Sequence, residues 1–390
     1  MTRFTLNRRR LLMAGLAGLG MTAPGLTASF AQTPGPGGRK LVLVILRGAM
    51  DGLAALAPTA DPLYTDYRGG LALMRGTPLA GGFTLHPALS TLASLWSRGQ
   101  ALGIQAIATP YRDRSHFDGQ DLLETGGQRA GLNSDGWLNR VLQVLGGAAP
   151  GALGVGGSLP LVLRGAAPAS SWSPPVLPEV DPSTVTRLMD LYADDVVLSE
   201  ALMLAIETDL IAGDIGDDTG GRVTPADLAS AAASLMIAND GPDLAVLELE
   251  GWDTHVNQGA DEGQLANRLS ELDAAIDALQ AGLGAYWGDT AVMVTTEFGR
   301  TVRVNGGGGT DHGTGGAAFL LGGAVRGGDV IGDWPGLNDL YEDRDLRPAN
   351  DMRSLFKGVL RDHWGVDPSV LDTTVFPDSA GVAPFSNLII

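Results

Sequence analysis

Residues Leu41 to Leu46 read Leu-Val-Leu-Val-Ile-Leu, six positions without a polar side chain. A strand with one wet face alternates apolar and polar residues, so an unbroken, β-branched run predicts a strand buried on both faces of a parallel sheet. Ala101 to Ala108, Leu244 to Glu250, Thr290 to Val294 and Gly316 to Leu321 are read as further strands. Between two of them, Leu265, Leu269, Leu272, Ile276 and Leu279 fall on one helical stripe within 261–283. Strand, helix, strand implies a parallel pair joined by a crossover. The expected fold class is α/β, a three-layer α/β/α sandwich with a mostly parallel sheet. A helix is also expected from His86, short strands at 153–155 and 161–163, and a last helix at 350–362 that leaves His363 at its carboxyl end.

Open parallel sheets place their sites at the carboxyl ends of strands. The first strand runs into Arg47-Gly-Ala-Met-Asp51-Gly, where Asp51 is either a turn aspartate or a metal ligand. The second runs into Arg112-Asp-Arg114-Ser115-His116. Ser115 fits a helix N-cap, with Asp118 three residues on as a weak capping box. The same position brings backbone N–H groups to an anion. Arg112 and Arg114 are candidate holders of phosphate or sulfate oxygens. His116 is open between ligand, orienting group and structural histidine. The strand at 244–250 runs into Asp253-Thr-His255, whose side chains share one side of extended backbone, as a shared metal would need. The strand at 290 runs into Glu297, Arg300 and a glycine-rich loop carrying Asp311 and His312. Carboxylate, imidazole and guanidinium together suit a metal-assisted reaction on an anionic ester. Gly306 to Gly309 lack a following Gly-Lys-Ser/Thr, which excludes a nucleotide P-loop. These glycines are expected to let backbone pass close to the site.

Composition narrows the chemistry. The 390 residues include no cysteine, so disulfides, zinc fingers and thiol nucleophiles are excluded. Any metal falls to oxygen ligands and the five histidines: His86, His116, His255, His312 and His363. The net charge of −18 argues against general nucleic-acid binding, while leaving room for a local basic pocket. Residues 1–31 put Arg8-Arg9-Arg10 before a glycine-interrupted apolar run and end in Ser29-Phe-Ala31. That pattern resembles a twin-arginine export signal, with no stable membrane span after cleavage. The expected organisation is a signal at 1–31, a Pro/Gly linker at 32–39 and one α/β domain at 40–390. Its proline-rich insertion near 166–182 reads as a rim or lid.

The phrases LRGAMDGL, RSHFDGQDLLETG, GWDTH, TTEFGRTVRVNGGGGTDHGTGG and GGAVRGGDVIGDWPGL occur in this order. Together they resemble an exported bacterial group, the domain-of-unknown-function family 1501, over about residues 40–365. The strand-end clusters more broadly resemble the alkaline-phosphatase-like superfamily, which includes sulfatases. The resemblance implies an alkaline-phosphatase-like fold, with divalent metal, zinc among the candidates, beside a hydroxyl nucleophile. Carried over residue by residue, Asp51 would serve the metal nearest the nucleophile Ser115. Asp253, His255 and His312 would form the other site. Glu297 and Phe298 fall where many members have Asp-His, so one metal site is expected rather than two. The implied function is an exported, periplasmic or secreted, metal-dependent hydrolase of phosphate or sulfate esters. Its substrate would be an anionic small molecule or glycan ester, held by Arg112, Arg114 and Arg300. The alternative is a non-catalytic exported binding module with a degraded metal site. The sequence leaves the oligomeric state open.

Overall fold

The computed structural model describes residues 38–146, 151–174, 182–192, 195–212, 223–239 and 241–390. The expected export signal and nearly all of the linker lie outside the described residues, as do residues 175–181 of the proline-rich stretch. A nine-stranded sheet forms the middle layer. Its strands are β1 (Lys40–Arg47), β2 (Ala101–Ala108), β3 (Ala152–Val155), β4 (Ser170–Trp172) and β5 (Leu244–Glu250). They continue with β6 (Thr290–Thr296), β7 (Gly316–Leu321), β8 (Val330–Ile331) and β9 (Asn350–Asp351). The order across the sheet is β8-β2-β7-β6-β1-β5-β3-β4, with β9 also on β2. β1 pairs in parallel with β5 and β6 on its two sides. β7 is the antiparallel member, paired with β2 and β6.

β1 is central because both its faces are covered. Val42, Val44 and Leu46 pack into one core with Leu92 and Leu95 of α1 (Ser90–Ser97). The same core takes Ala229 and Leu235 of α6 (Pro225–Ile237) and Leu265, Leu269 and Ile276 of α7 (Gln264–Leu283). Leu41, Leu43 and Ile45 point the other way. They meet Leu123 of α2 (His116–Thr125), Trp137 and Val141 of α3 (Trp137–Leu145) and Leu355 and Val359 of α8 (Met352–Trp364). Each fully buried leucine or valine contributes about 1.5–3 kcal/mol, which is why the run carries no polar residue. The helices α4 (Pro182–Tyr192) and α5 (Val196–Ala212) complete the described set of longer helices. No helix of the described residues is long and apolar enough to cross a membrane.

Three local expectations change. Residues 161–163 form a 3-10 turn, not a strand. Pro160 brings no N–H to a ladder, and the Val162 N–H donates to the Glu124 carboxylate at 3.0 Å. The helix expected from His86 begins at Ser90, because Asp273 of α7 accepts from the N–H groups of Thr91 and Leu92 and from the Ser90 hydroxyl at 2.8–3.0 Å. A cap supplied from 181–183 residues away leaves no local signal. Finally, α8 runs to Trp364, which buries His363 inside its last turn.

That burial has a pH consequence. His363 Nε2 faces the Lys40 carbonyl at 2.9 Å, and Nδ1 has no partner. Burial pushes the imidazole down to about 4, against the Lys40 carbonyl and with help from the Arg39 charge. An unfolded histidine titrates near 6.5, so below that pH the unfolded chain takes up the proton first. Stability from this group is complete above about 6.5 and falls as pH drops toward 4, by up to about 3 kcal/mol. Urea midpoints of the parent and His363→Gln, compared at pH 7 and pH 5, should show the parent losing more. Equal losses would remove the histidine from the account.

Candidate metal centre

β1, β5 and β6 are parallel neighbours, so Asp51, Asp253 with His255, and Glu297 all leave the sheet at one edge. β7 is antiparallel, so the loop before it delivers His312 to that same edge. α2 begins there too, after β2, and brings His116. The glycine-rich loop reaches the site by close backbone contact: a β-carbon on Gly309 would lie 2.4 Å from the Thr254 carbonyl oxygen. Gly307 and Gly309 serve this approach, whereas a β-carbon would meet open space at Gly306 and only ordinary contact at Gly308.

Three imidazoles and one carboxylate meet at this edge. His312 Nε2 lies 2.9 Å from Nε2 of His116 and 2.9 Å from Nε2 of His255. Asp253 Oδ1 is 3.0 Å from His255 Nε2 and 3.2 Å from His312 Nε2, and its Oδ2 is 3.5 Å from His116 Nε2. The other ring nitrogens each face an acceptor. His116 Nδ1 meets Glu297 Oε1 at 2.7 Å, His255 Nδ1 meets Asp311 Oδ1 at 3.2 Å, and His312 Nδ1 meets the Arg114 carbonyl at 2.9 Å. An acceptor there gives the ring proton a place on Nδ1, the tautomer in which each Nε2 offers a lone pair to a cation. Three lone pairs and a carboxylate at such distances repel unless a cation stands among them. Imidazoles with their second nitrogen bound to carboxylate or carbonyl are the usual surroundings of a metal ion. The residues therefore fit a divalent metal. Nitrogen-rich donors suit zinc and its transition-metal neighbours better than calcium or magnesium.

The electrostatics follow the same arrangement. Burial pushes the Asp253 carboxyl up, but Arg300 and the imidazoles hold it below the usual carboxylate range. Burial likewise opposes ionisation of Glu297, which His116 and the Gly48 N–H overcome. The Glu297 contact raises His116 against its own burial, while burial lowers His312.

The structure redistributes the expected site residues. Asp253, His255 and His312 come together as expected, and His116 joins them. Asp51 does not. It is 1 % exposed and satisfied by an ion pair with Arg68, by Gln258 Nε2 at 2.7 Å and by the Leu53 N–H at 3.1 Å. Glu297 and Asp311 face the Nδ1 atoms of His116 and His255, on the far side of each ring from His312 Nε2. The three arginines do not converge as an oxyanion clamp. Arg112 donates to the carbonyls of its own turn, Thr109 and Tyr111. Arg114 pairs with Asp345 at 2.8 Å and Glu342 at 2.6 Å. Arg300, fully buried, holds Asp253 and Thr310. Ser115 occupies the N-cap position of α2, yet its hydroxyl makes no capping bond. Phe298, which replaces an expected imidazole, is buried and stacks on His116 with ring centroids 5.1 Å apart. Among the contributors the sequence did not single out, Arg68 and Gln258 lack any motif. His116 directly after a helix-starting serine was a signal that spacing could not resolve.

No curated protein matches the chain by sequence. Solved structures with similar folds include the C-terminal periplasmic domain of EcEptC from Escherichia coli, at 13% identity over 91% of this chain and 92% of that one, TM-score 0.43. A protein of the alkaline phosphatase superfamily from Vibrio parahaemolyticus is 12% identical over 92% and 76%, TM-score 0.41. Murine ectonucleotide pyrophosphatase/phosphodiesterase 5 is 13% identical over 67% of this chain, TM-score 0.34, and the chain spans 57% of its length. At these scores no residue role or activity is carried from them. The sequence signature described as "Protein of unknown function (DUF1501)" matches residues 96–375, from the end of α1 to beyond α8, and the chain belongs to that family.

Proposed function

We propose that the chain is an exported, periplasmic or secreted, metal-dependent hydrolase of phosphate or sulfate esters, working with one divalent ion. The observation that carries this reading is the approach of the Nε2 atoms of His116, His255 and His312 to Asp253, with Ser115 next to His116 at the start of α2. His116, Asp253, His255 and His312 would hold the ion. When bound, it would supply Lewis acidity to an ester oxygen. Ser115 Oγ would lose its proton and form the bond to phosphorus or sulfur as the ester oxygen leaves and takes up a proton, and water would then release the anion and restore the Ser115 hydroxyl. With Arg112, Arg114 and Arg300 engaged elsewhere, the N–H groups of the first turn of α2 are the donors left for the anion's oxygens. Asp51 and Glu297 would stay outside the reaction.

The occupied arginines favour a second reading, a non-catalytic exported binding module that keeps the metal centre. One experiment separates the two. Protein purified without chelator is analysed for zinc and related metals, then assayed with an aryl phosphate and an aryl sulfate. The hydrolase reading expects turnover that chelation removes. Ser115→Ala should keep the metal and lose on the order of 10³-fold or more in kcat/KM. Ser115 makes no cap bond, so this variant loses only its contact with Tyr111 and should cost about 1 kcal/mol of stability or less. Metal-loaded parent that turns over neither ester class transfers the conclusion to the binding module.

A further inference from the structure

His312 supplies a ring nitrogen to the centre, yet it lies in a loop outside the strands, where it forms a one-residue bridge to Arg300. Its ring is aimed by the Arg114 carbonyl at 2.9 Å from Nδ1. That carbonyl comes from a left-handed backbone, φ +63° at Arg114, which a residue with a β-carbon seldom adopts. Such a conformation persists only where its surroundings hold it.

The Arg114 side chain shows what holds it. Nε donates to Asp345 Oδ2 at 2.8 Å and Nη2 to Glu342 Oε2 at 2.6 Å. Both acids belong to a short hairpin, Leu340–Tyr341 paired antiparallel with Asp345–Leu346. Its turn residues Glu342 and Asp343 are also left-handed, φ 54° and 52°, as a type I′ turn requires. The next residue, Arg344, donates to the backbone carbonyl of His312 and lies 3.3 Å from Asp345. Asp345 is fully buried. The hairpin thus grips both ends of the His312–Arg114 bond: Arg114 by its side chain, and His312 by its main chain.

We propose that Arg114 is a positioning residue for the metal centre. Anchored by Glu342 and Asp345, it keeps its carbonyl on His312 Nδ1, and so keeps the His312 Nε2 lone pair turned toward Asp253 and the other imidazoles. This rests on the metal-centre reading above and does not need the hydrolase reading. The planar fork of Arg114 reaches both carboxylates at once, which a lysine ammonium does not reproduce.

The test is zinc affinity of the full chain, stripped of metal and titrated against a chromophoric chelator. Arg114→Ala should bind zinc about 10–100-fold more weakly, the range for outer partners of metal-bound histidines. Glu342→Gln is the second variant: Glu342 is exposed, so the fold survives, and one of the two charged anchors is removed. It should weaken zinc in the same direction and add little on top of Arg114→Ala. In the zinc-loaded Arg114→Ala protein, the His312 ring nitrogen signals should shift while those of His116 and His255 hold. Arg75→Ala, at an exposed ion pair with Asp261 that touches none of the centre's residues, should leave affinity at the parent value. Parent-like affinity in both Arg114→Ala and Glu342→Gln overturns the proposal, as does an equal disturbance of all three rings. A parent that binds no zinc overturns the metal centre with it, whereas failure to hydrolyse esters touches only the hydrolase reading.

Discussion

Arg68→Met is expected to destabilise the protein by about 3–5 kcal/mol, the usual cost of stranding a buried charge. Arg68 is fully buried, and its partner Asp51 is 1 % exposed. With the guanidinium gone, Asp51 keeps only Gln258 and the Leu53 N–H as neutral partners. It must then stay charged in a dry site or take up a proton, and either costs free energy. Asp51→Asn in the Arg68→Met background should recover much of the loss, because it removes the charge and retains the side-chain oxygen that accepts from Leu53. Chemical denaturation of the single and double variants measures both effects. Metal content serves as a second readout. If Arg68→Met instead gains a bound ion and keeps its stability, Asp51 is a latent metal ligand, and its assignment to Arg68 is wrong.

The second large effect is expected at the centre itself. His312 touches all three other donors, so His312→Ala removes a ring that contacts each of them. Zinc affinity should fall by more than the ~10–100-fold that outer partners are worth. A ligand that binds only the native state stabilises it by about 2.7 kcal/mol when present at 100 times its Kd. The parent should therefore melt lower after chelation. His312→Ala should melt lower with or without chelator, and chelation should move it little. Differential scanning calorimetry with parallel metal analysis gives both readouts. Undiminished zinc in His312→Ala would mean that the histidines pack for structural reasons and the ion sits elsewhere.

Much of the fold was legible because it rests on local patterns. The Leu41–Leu46 run can be buried on both faces only in a covered sheet, and β1 occupies the middle of one. The stripe of Leu265, Leu269, Leu272 and Ile276 became the buried face of α7. Boundaries failed where a distant group intervened, as when Asp273 set the start of α1. The direction of β7 was not legible either, since a strand's own residues do not record which way its neighbours run.

The sequence by itself determined where the candidate chemistry gathers and what it is made of. Strand ends carrying Asp253, His255 and Glu297 had to meet at one edge once those strands were parallel, and a chain without cysteine had to offer imidazole and carboxylate. Only the tertiary structure decided which group does what. Asp51 and Asp253 are both strand-end aspartates, but Asp51 lies beside the buried Arg68, while Asp253, paired with Arg300, still faces three imidazoles. Arg112, Arg114 and Arg300 read alike as anion holders, and each went to a different partner within the protein. The reason is that local pattern sets backbone state and the face a side chain takes. Which charges pair depends on distances of a few ångströms between residues up to 231 positions apart, and those are set only when the sheet, loops and hairpin close together.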